Sequence, residues 1–204
     1  MFMEGFMNNK KITRKITQGM YVLTTKDGGC VVDAVSQVSS GDNPLISVSV
    51  MKNNYTNELL KKNDKFCLSV LGKDVNPEII KTFGFNSMKD INKFENIDVT
   101  LIDGINIVND SLGYMICEKV DSIDCDTHTL FIGKLVGCDV FKDEDAMSYQ
   151  YYQEHKDELI EVITEEGKTA WVCTICGYVV YQEELEDSFT CPICGVSKDL
   201  FIIK

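Results

Sequence analysis

Four cysteines in the last part of the sequence have the residue type and spacing of a metal site. They form two C-x-x-C pairs, Cys173 with Cys176 and Cys191 with Cys194, and the fourteen residues 177–190 separate the pairs. Two such pairs can bring four thiolates to one tetrahedral centre, and tetrahedral thiolate centres hold either zinc or iron. The spacing therefore predicts a metal centre on these four cysteines without choosing between the two metals.

The residues beside the two pairs favour iron over zinc. A glycine follows each pair directly, Gly177 and Gly195, and lets the chain turn tightly so that backbone N–H groups point at sulfur. Hydrogen bonds to the sulfurs stabilise the added negative charge of a reduced metal and so tune its potential. A structural zinc ribbon remains the alternative on these residues alone. A segment this small needs metal binding and an aromatic core in order to fold, the latter supplied by Trp171, Tyr178, Phe189 and Phe201.

The stretch Trp171–Tyr178 followed by Cys191–Val196 resembles the rubredoxins, which hold one iron on four cysteines and transfer single electrons. The segment between the pairs is shorter than in free-standing rubredoxins, as it is in modules fused to rubrerythrin-like proteins. The resemblance implies one iron on the four cysteines, within a domain of residues 169–204.

The larger first part of the chain has the pattern of a mainly β protein. Several β-favouring runs alternate with turn residues, and Asp27-Gly28-Gly29 predicts a hairpin turn. Many strands and few helices favour a barrel over a doubly wound sheet. The predicted strands cover 19–25, 30–37, 45–50, 65–71, 112–120 and 128–140, and short helices are predicted over 56–62 and 77–83.

No glycine-rich phosphate-binding loop is present in the sequence. No two of the fourteen glycines stand two residues apart, so a G-x-G-x-x-G motif is excluded, and no Walker loop occurs. The best candidate for an anion site is Lys52–Thr56, between a predicted strand and a predicted helix. The N–H groups and dipole of a helix start attract an anion, and Lys52 adds a full charge. An ordinary helix cap by Asn54 or Thr56 explains the same residues without a ligand.

Several short motifs make the first part resemble the flavoredoxin-like members of the flavin reductase family, FMN-binding split barrels that are usually homodimers. The resemblance spans roughly residues 12–153, and over its whole length the chain is similar to fusions of a flavin reductase with a rubredoxin. The motifs keep their order: Gln37–Ser40, Pro44, Val48–Asn54, Tyr55-Thr56, Phe83–Ser87 and Thr127–Gly133.

The resemblance implies a flavin site residue by residue. The stretch from Ala34 through Gln37, Val38, Ser39 and Ser40 is expected beside the isoalloxazine ring, largely through main-chain groups. The phosphate is expected on Lys52, Asn53, Asn54 and Thr56, with Phe85 and Ser87 near the flavin edge or the dimer partner. His128 is expected close to the ring as a catalytic residue that contacts nicotinamide or stabilises charge, although a histidine beginning an apolar strand is also an ordinary structural hydrogen-bonder.

One residue departs from the family pattern. Val32-Asp33-Ala34 stands where these proteins commonly have Asn followed by Thr or Ser. An ionised Asp33 near the ring would disfavour the anionic reduced flavin.

Composition excludes two classes of protein and suggests a compartment. The net charge of −12 repels phosphate backbones, so a nucleic-acid binder is not expected. No apolar run approaches the roughly 18 residues that cross a bilayer, and the first residues lack the apolar core of a signal peptide. Nine cysteines without a secretion signal indicate thiols in a reducing cytoplasm.

An acidic stretch separates the two parts. It carries six acidic residues against two lysines between 153 and 168, which is typical of a solvated helix leading into a linker. The aromatic run Ser148–Tyr152 just before it either begins this solvated helix or covers a flavin or a dimer seam. We therefore divide the chain into a flavin reductase-like barrel (1–153), an acidic linker (154–168) and a rubredoxin-like domain (169–204).

Taken together, these features predict an NAD(P)H-dependent oxidoreductase. FMN would accept a hydride, and the four-cysteine iron centre would carry single electrons to a redox partner, by resemblance a flavodiiron-type oxygen or nitric oxide reductase. Two alternatives stay open: an electron carrier fed by a partner protein without NAD(P)H reactivity, and a zinc-stabilised binding protein with a vestigial flavin barrel.

Overall fold

The computed structural model describes residues 12, 15–89, 91–159, 169–174, 178–192 and 195–203, apart from the side chains of residues 157 and 159. Most of the first part is a curled, antiparallel, seven-stranded sheet with three helices around it. The elements in chain order are β1 (Tyr21–Thr25), β2 (Gly28–Val32), β3 (Val35–Gln37), β4 (Leu45–Met51), α1 (Tyr55–Lys62), β5 (Lys65–Val70), α2 (Pro77–Phe85), β6 (Val99–Ile102), β7 (Ile105–Val108), β8 (Gly113–Cys125), β9 (His128–Val140) and α3 (Tyr149–Leu159).

The strand order, β2-β1-β5-β8-β9-β4-β3, explains why this sheet curls. Strands β2 and β3 follow one another in the chain, yet they form the two opposite edges of the sheet. At the joint between them the Val35 amide donates to the Asp33 carbonyl at 2.9 Å, and the Ser49 amide donates to the Ala34 carbonyl at 3.0 Å. The two edges therefore meet at residues 33–34, which confirms the predicted mainly β split barrel. The expectation of one continuous strand over 30–37 is wrong, because the chain bends at this joint.

Two apolar clusters hold the barrel and its helices together. Phe66, Phe131 and Val48 are fully buried among the strands of the sheet. A second cluster packs Ile80 and Phe83 of α2 against side chains from β1 and from the segment before α3. Both clusters lie next to the joint between β2 and β3, so this joint is a rigid place for a binding site.

The two predicted helices form where the sequence signals place them. Asn54 caps α1 by accepting a hydrogen bond from the Thr56 amide at 2.9 Å. Asn76 caps α2 in the same way, with Pro77 in the first turn. The hairpin of β6 and β7 was not among the predicted elements. Its turn residues, Asp103 and Gly104, both have positive φ, as a tight two-residue hairpin requires.

The last part forms a separate small unit, here called the C-terminal module (residues 169–203). Strands β10 (Ala170–Cys173), β11 (Val179–Tyr181) and β12 (Phe201–Ile203) form a sheet in the order β11-β10-β12. Helix α3 crosses the boundary predicted at residue 153, and residues 160–168 of the predicted linker lie outside the described residues, so the domain limits remain a prediction. Within the described residues no helix is long and apolar enough to span a membrane.

Candidate functional site

A cavity of about 290 Å³ lies where the edges of the sheet meet. Strand β2 and the following Asp33 form one wall, and Ser49–Met51 at the end of β4 form another. The rest of the lining is largely apolar or aromatic, which suits a flat aromatic ligand. Its remaining lining residues are Met20, Asn54, Ile80, Gly84, Phe85, His128, Tyr149 and Tyr152.

A second, more polar cavity of about 310 Å³ adjoins the first. The two share Asn54 and Phe85 in their linings, so they lie side by side. The first turn of α1 forms one wall of this second cavity, and the chain just after α2 forms another. Its lining residues are Asn53, Asn54, Tyr55, Thr56, Phe85, Asn86, Ser87, Met88, Lys93, Tyr178 and Pro192.

Lys93 places a buried positive charge in the second cavity. The residue is 3% exposed, and its Nζ donates to the carbonyl oxygens of Gly29 at 2.9 Å and Phe83 at 3.1 Å. Burial lowers the pKa of this ammonium to about 8, an effect that the nearby Cys30 thiol only partly opposes. Among the described residues no carboxylate pairs with Lys93. A bound anion would supply the missing counter-charge.

Lys52, the cation expected at the phosphate, is engaged elsewhere. Its Nζ forms an ion pair with Asp124 at 2.7 Å, which holds the pKa of that carboxyl below its usual range. The residue lines neither cavity. Asn53, Asn54 and Thr56 do line the second cavity, and Asn54 also caps α1, so the capping role and the cavity-lining position coexist.

Asp33 and His128 face the first cavity together. Burial raises the pKa of the Asp33 carboxyl, and hydrogen bonds from the backbone amides of Asp33 and Ala34 partly oppose the rise. Nδ1 of His128 lies 2.8 Å from the Thr127 hydroxyl. The half-buried His128 is thus both hydrogen-bonded, as a structural residue would be, and accessible to a ligand in the cavity.

The structure brings together only part of the predicted flavin site. Asn54, Phe85 and His128 line the first cavity, and Asn53, Thr56 and Ser87 line the second. Ala34 is adjacent to the lining residue Asp33. The surface turn of residues 37–40 is exposed and lines neither cavity, with the Gln37 amide donating to the Ser39 carbonyl at 2.9 Å. The flavin-contacting roles of the individual residues remain predictions.

Sequence reasoning anticipated one further group of lining residues and missed another. Tyr149 and Tyr152 begin α3 and line the first cavity, so of the two roles considered for this aromatic run the cavity-covering one is favoured. Lys93 was missed because nothing in its neighbouring residues marks it. Its side chain reaches carbonyls 64 and 10 positions away in the chain, and only folding brings them together.

The metal-site cysteines that are described lie in the core of the C-terminal module. Cys173 and Cys191 are fully buried in one cluster with Leu185 and Phe201. The Cys173 amide donates to the Tyr178 carbonyl, and the Cys191 amide to the Val196 carbonyl, both at 2.8 Å. Each of these hydrogen bonds joins the two ends of a segment that contains a cysteine pair. Cys176 and Cys194 lie outside the described residues, so the complete set of four ligands remains a prediction.

The residues present fit the two expected groups. An apolar, aromatic slot beside a polar cavity with a helix start and an uncompensated lysine matches a flavin ring joined to a phosphate. Two buried thiols in one apolar cluster match half of a tetrathiolate site.

Comparison with known proteins finds two families along the chain. Residues 13–159 match the flavin reductase like domain, and residues 171–202 match the rubrerythrin, rubredoxin-like domain. A high molecular weight rubredoxin of Moorella thermoacetica is 32% identical over 94% of this chain and 97% of its own length. A ferric-chelate reductase (NAD(P)H) of Archaeoglobus fulgidus is 30% identical over 79% of this chain and 93% of its own.

The fold is also found among solved structures. An NADH:FAD oxidoreductase of Streptomyces globisporus superposes with a TM-score of 0.62 at 18% identity, covering 68% of this chain and 85% of that one. The chain therefore belongs to the flavin reductase family and carries a C-terminal rubredoxin-like domain. This membership confirms the prediction of an oxidoreductase.

Proposed function

We propose that the chain oxidises NAD(P)H and delivers single electrons, through FMN and an iron centre on four cysteines, to a redox partner protein. When bound, FMN would supply two-electron chemistry with nicotinamide and the iron would supply one-electron chemistry with the partner. The observation that carries the proposal is the pair of adjoining cavities, one apolar and aromatic, the other polar and lined by Lys93.

The chain's own residues would bind and orient the flavin. Lys93 and the start of α1 would hold the phosphate, while β2 and the end of β4 would line the ring. Tyr149 and Tyr152 would limit the access of water from the α3 side. Hydride transfer requires no general base, so His128 would act by contact with nicotinamide or by stabilising negative charge at the ring.

In the metal centre, the four cysteines would bind iron as thiolates. The backbone hydrogen bonds of Cys173 and Cys191 support this role, because they fix the main chain at two of the four cysteines. By resemblance the acceptor would be a flavodiiron-type oxygen or nitric oxide reductase. The net charge of −12 suits docking on a basic partner surface.

We also propose a homodimer in the cytoplasm. Strands β8 and β9 carry exposed apolar side chains at Val120, Ile123 and Val136, which are 54%, 46% and 44% exposed. A second copy that covers these side chains would remove them from water. The many thiols support a reducing compartment. Light scattering should give a dimer for the wild type and a monomer for Ile123→Lys, and a monomeric wild type would contradict this part of the proposal.

Flavin titration tests the assigned cavities. FMN and riboflavin share the ring and differ in the phosphate, so FMN should bind at least about tenfold more tightly if the second cavity holds the phosphate through charge-assisted hydrogen bonds. Equal affinities would overturn the phosphate assignment. No binding of either flavin would favour a vestigial barrel.

A further inference from the structure

Two residues of the C-terminal module line the polar cavity of the barrel. They are Tyr178 and Pro192, which share the second cavity with Thr56 of α1 and with Lys93. Pro192 directly follows the metal-site residue Cys191, and Tyr178 lies two positions after Cys176. Residues of the module that are close in sequence to each cysteine pair therefore lie against the barrel.

A third contact lies at the border with the apolar cavity. A β-carbon at Gly195 would lie 3.7 Å from the Cε of Met51, which is van der Waals distance. Met51 is a lining residue of the apolar cavity, and Gly195 follows Cys194. Residues next to both cysteine pairs thus lie against the second cavity and against a lining residue of the first.

From this juxtaposition we propose that the C-terminal module closes the phosphate cavity of the barrel, so that flavin binding and the seating of the module stabilise one another. The inference rests on the proposed flavin site. It adds that the flavin site is made by both parts of the chain, and that the module is not a freely tethered carrier.

Two consequences follow from this closure. First, the coupling is reciprocal. If the seated module increases the affinity for FMN by some factor, bound FMN increases the stability of the contact between module and barrel by the same factor. A cavity closed at its outer side by Tyr178 and Pro192 also leaves little room beyond a terminal phosphate. FMN should then bind better than FAD, whose second phosphate and nucleoside would have to displace the module.

The test places opposite charges at one module position. Pro192 is exposed and lines the cavity, so Pro192→Asp and Pro192→Lys alter the same backbone while bringing a negative or a positive charge towards the phosphate. In full-length protein, FMN affinity should fall about tenfold for the aspartate and rise several-fold for the lysine, as expected for charges several ångströms apart near a surface. Ser188→Asp, on the same module but outside both cavities, is the matched control and should leave the affinity unchanged.

Equal FMN affinities for the two Pro192 variants would overturn the proposal. An absence of FMN binding by the wild type would instead overturn the proposed flavin site. Hydrogen exchange of the unaltered protein provides a second measurement that needs no variant. FMN should slow exchange in residues 178–181 as well as around α1, and protection confined to the barrel would contradict the closure.

Discussion

Replacement of Lys93 by methionine should weaken FMN binding while making the flavin-free protein more stable. The ammonium is buried, it donates to two neutral carbonyls and it lies 5.6 Å from the centre of the Phe83 ring, so the flavin-free protein bears the cost of a charge that no carboxylate among the described residues offsets. Lowering the pKa from 10.5 to about 8 corresponds to about 3 kcal/mol at neutral pH. Loss of the two hydrogen bonds destabilises the variant by roughly 1–3 kcal/mol. The free energy of unfolding of the flavin-free protein should therefore be unchanged in Lys93→Met or higher by up to about 2 kcal/mol.

The affinity for FMN should change in the opposite direction. A hydrogen bond to a charged group contributes about 1.5–3 kcal/mol, so the variant should bind FMN about 10 to 150 times more weakly. Fluorescence titration with FMN and urea unfolding without it measure the two effects separately. Lys89→Met is the matched control, because Lys89 is an exposed lysine whose Nζ lies over the Tyr55 ring beside α1, and its loss should cost less than about fivefold.

The pH dependence gives an independent check of the same reasoning. A lysine with a lowered folded-state pKa destabilises the fold below that pKa, so the flavin-free wild type should gain stability as the pH rises from about 8 towards 10.5. FMN affinity should be constant between about pH 7 and 8, where the phosphate is already a dianion. Above pH 8 it should fall by up to tenfold per pH unit, because Lys93 of the free protein loses the proton that makes it a cation. Lys93→Met should lose both dependences. A variant that binds FMN like the wild type at every pH would refute the role of Lys93.

Three further substitutions test other residues of the two sites. Lys52→Met should change FMN affinity by less than about fivefold, because the Lys52 ammonium pairs with Asp124 outside both cavities. A loss of affinity as large as that of Lys93→Met in the same titration would show that Lys52 moves to the phosphate. Asp33→Asn should raise the flavin potential by about 30 mV or more, equivalent to about 1.4 kcal/mol for two electrons, since it removes a charge beside the ring; spectroelectrochemistry with no upward shift would count against this placement. The raised pKa of Asp33 also means that the same variant should gain most in stability at pH values above that pKa, as urea unfolding across the acid range would measure. Cys191→Ala should abolish metal binding, whereas Cys138→Ala, at an exposed cysteine, should leave the metal content unchanged; normal metal in both would exclude the assigned centre.

The sequence was most informative where local patterns determine local structure. The cap at Asn54, the start of α2 at Pro77 and the start of β9 at His128 follow from single residues and their neighbours. The β6–β7 hairpin was missed although Asp103-Gly104 is a strong turn signal. The bend at Asp33 could not be predicted from the apolar run 30–37. It forms because β2 and β3 belong to opposite edges of the sheet, and the curling of the sheet brings those edges together.

The same limit applies to the site. Asn53, Asn54 and Thr56 were found because a helix start is a local feature with a known affinity for anions. The lysine that lines that cavity is Lys93, which lies on a different segment, whereas Lys52, expected there from its position and from the resemblance, pairs with Asp124 outside both cavities. The partners of a long side chain depend on which groups the fold brings within its reach, and the neighbouring residues in the sequence do not determine them.

An anaerobic visible spectrum of the purified protein, recorded before and after addition of NADH or NADPH, tests the proposed electron pathway most directly. The proposal predicts overlapping flavin and iron–thiolate bands that both bleach, because electrons enter at the flavin and continue to the iron. Bands that are present but unchanged would make the chain a carrier fed by another protein. A colourless protein would contradict the account and indicate zinc with an empty barrel.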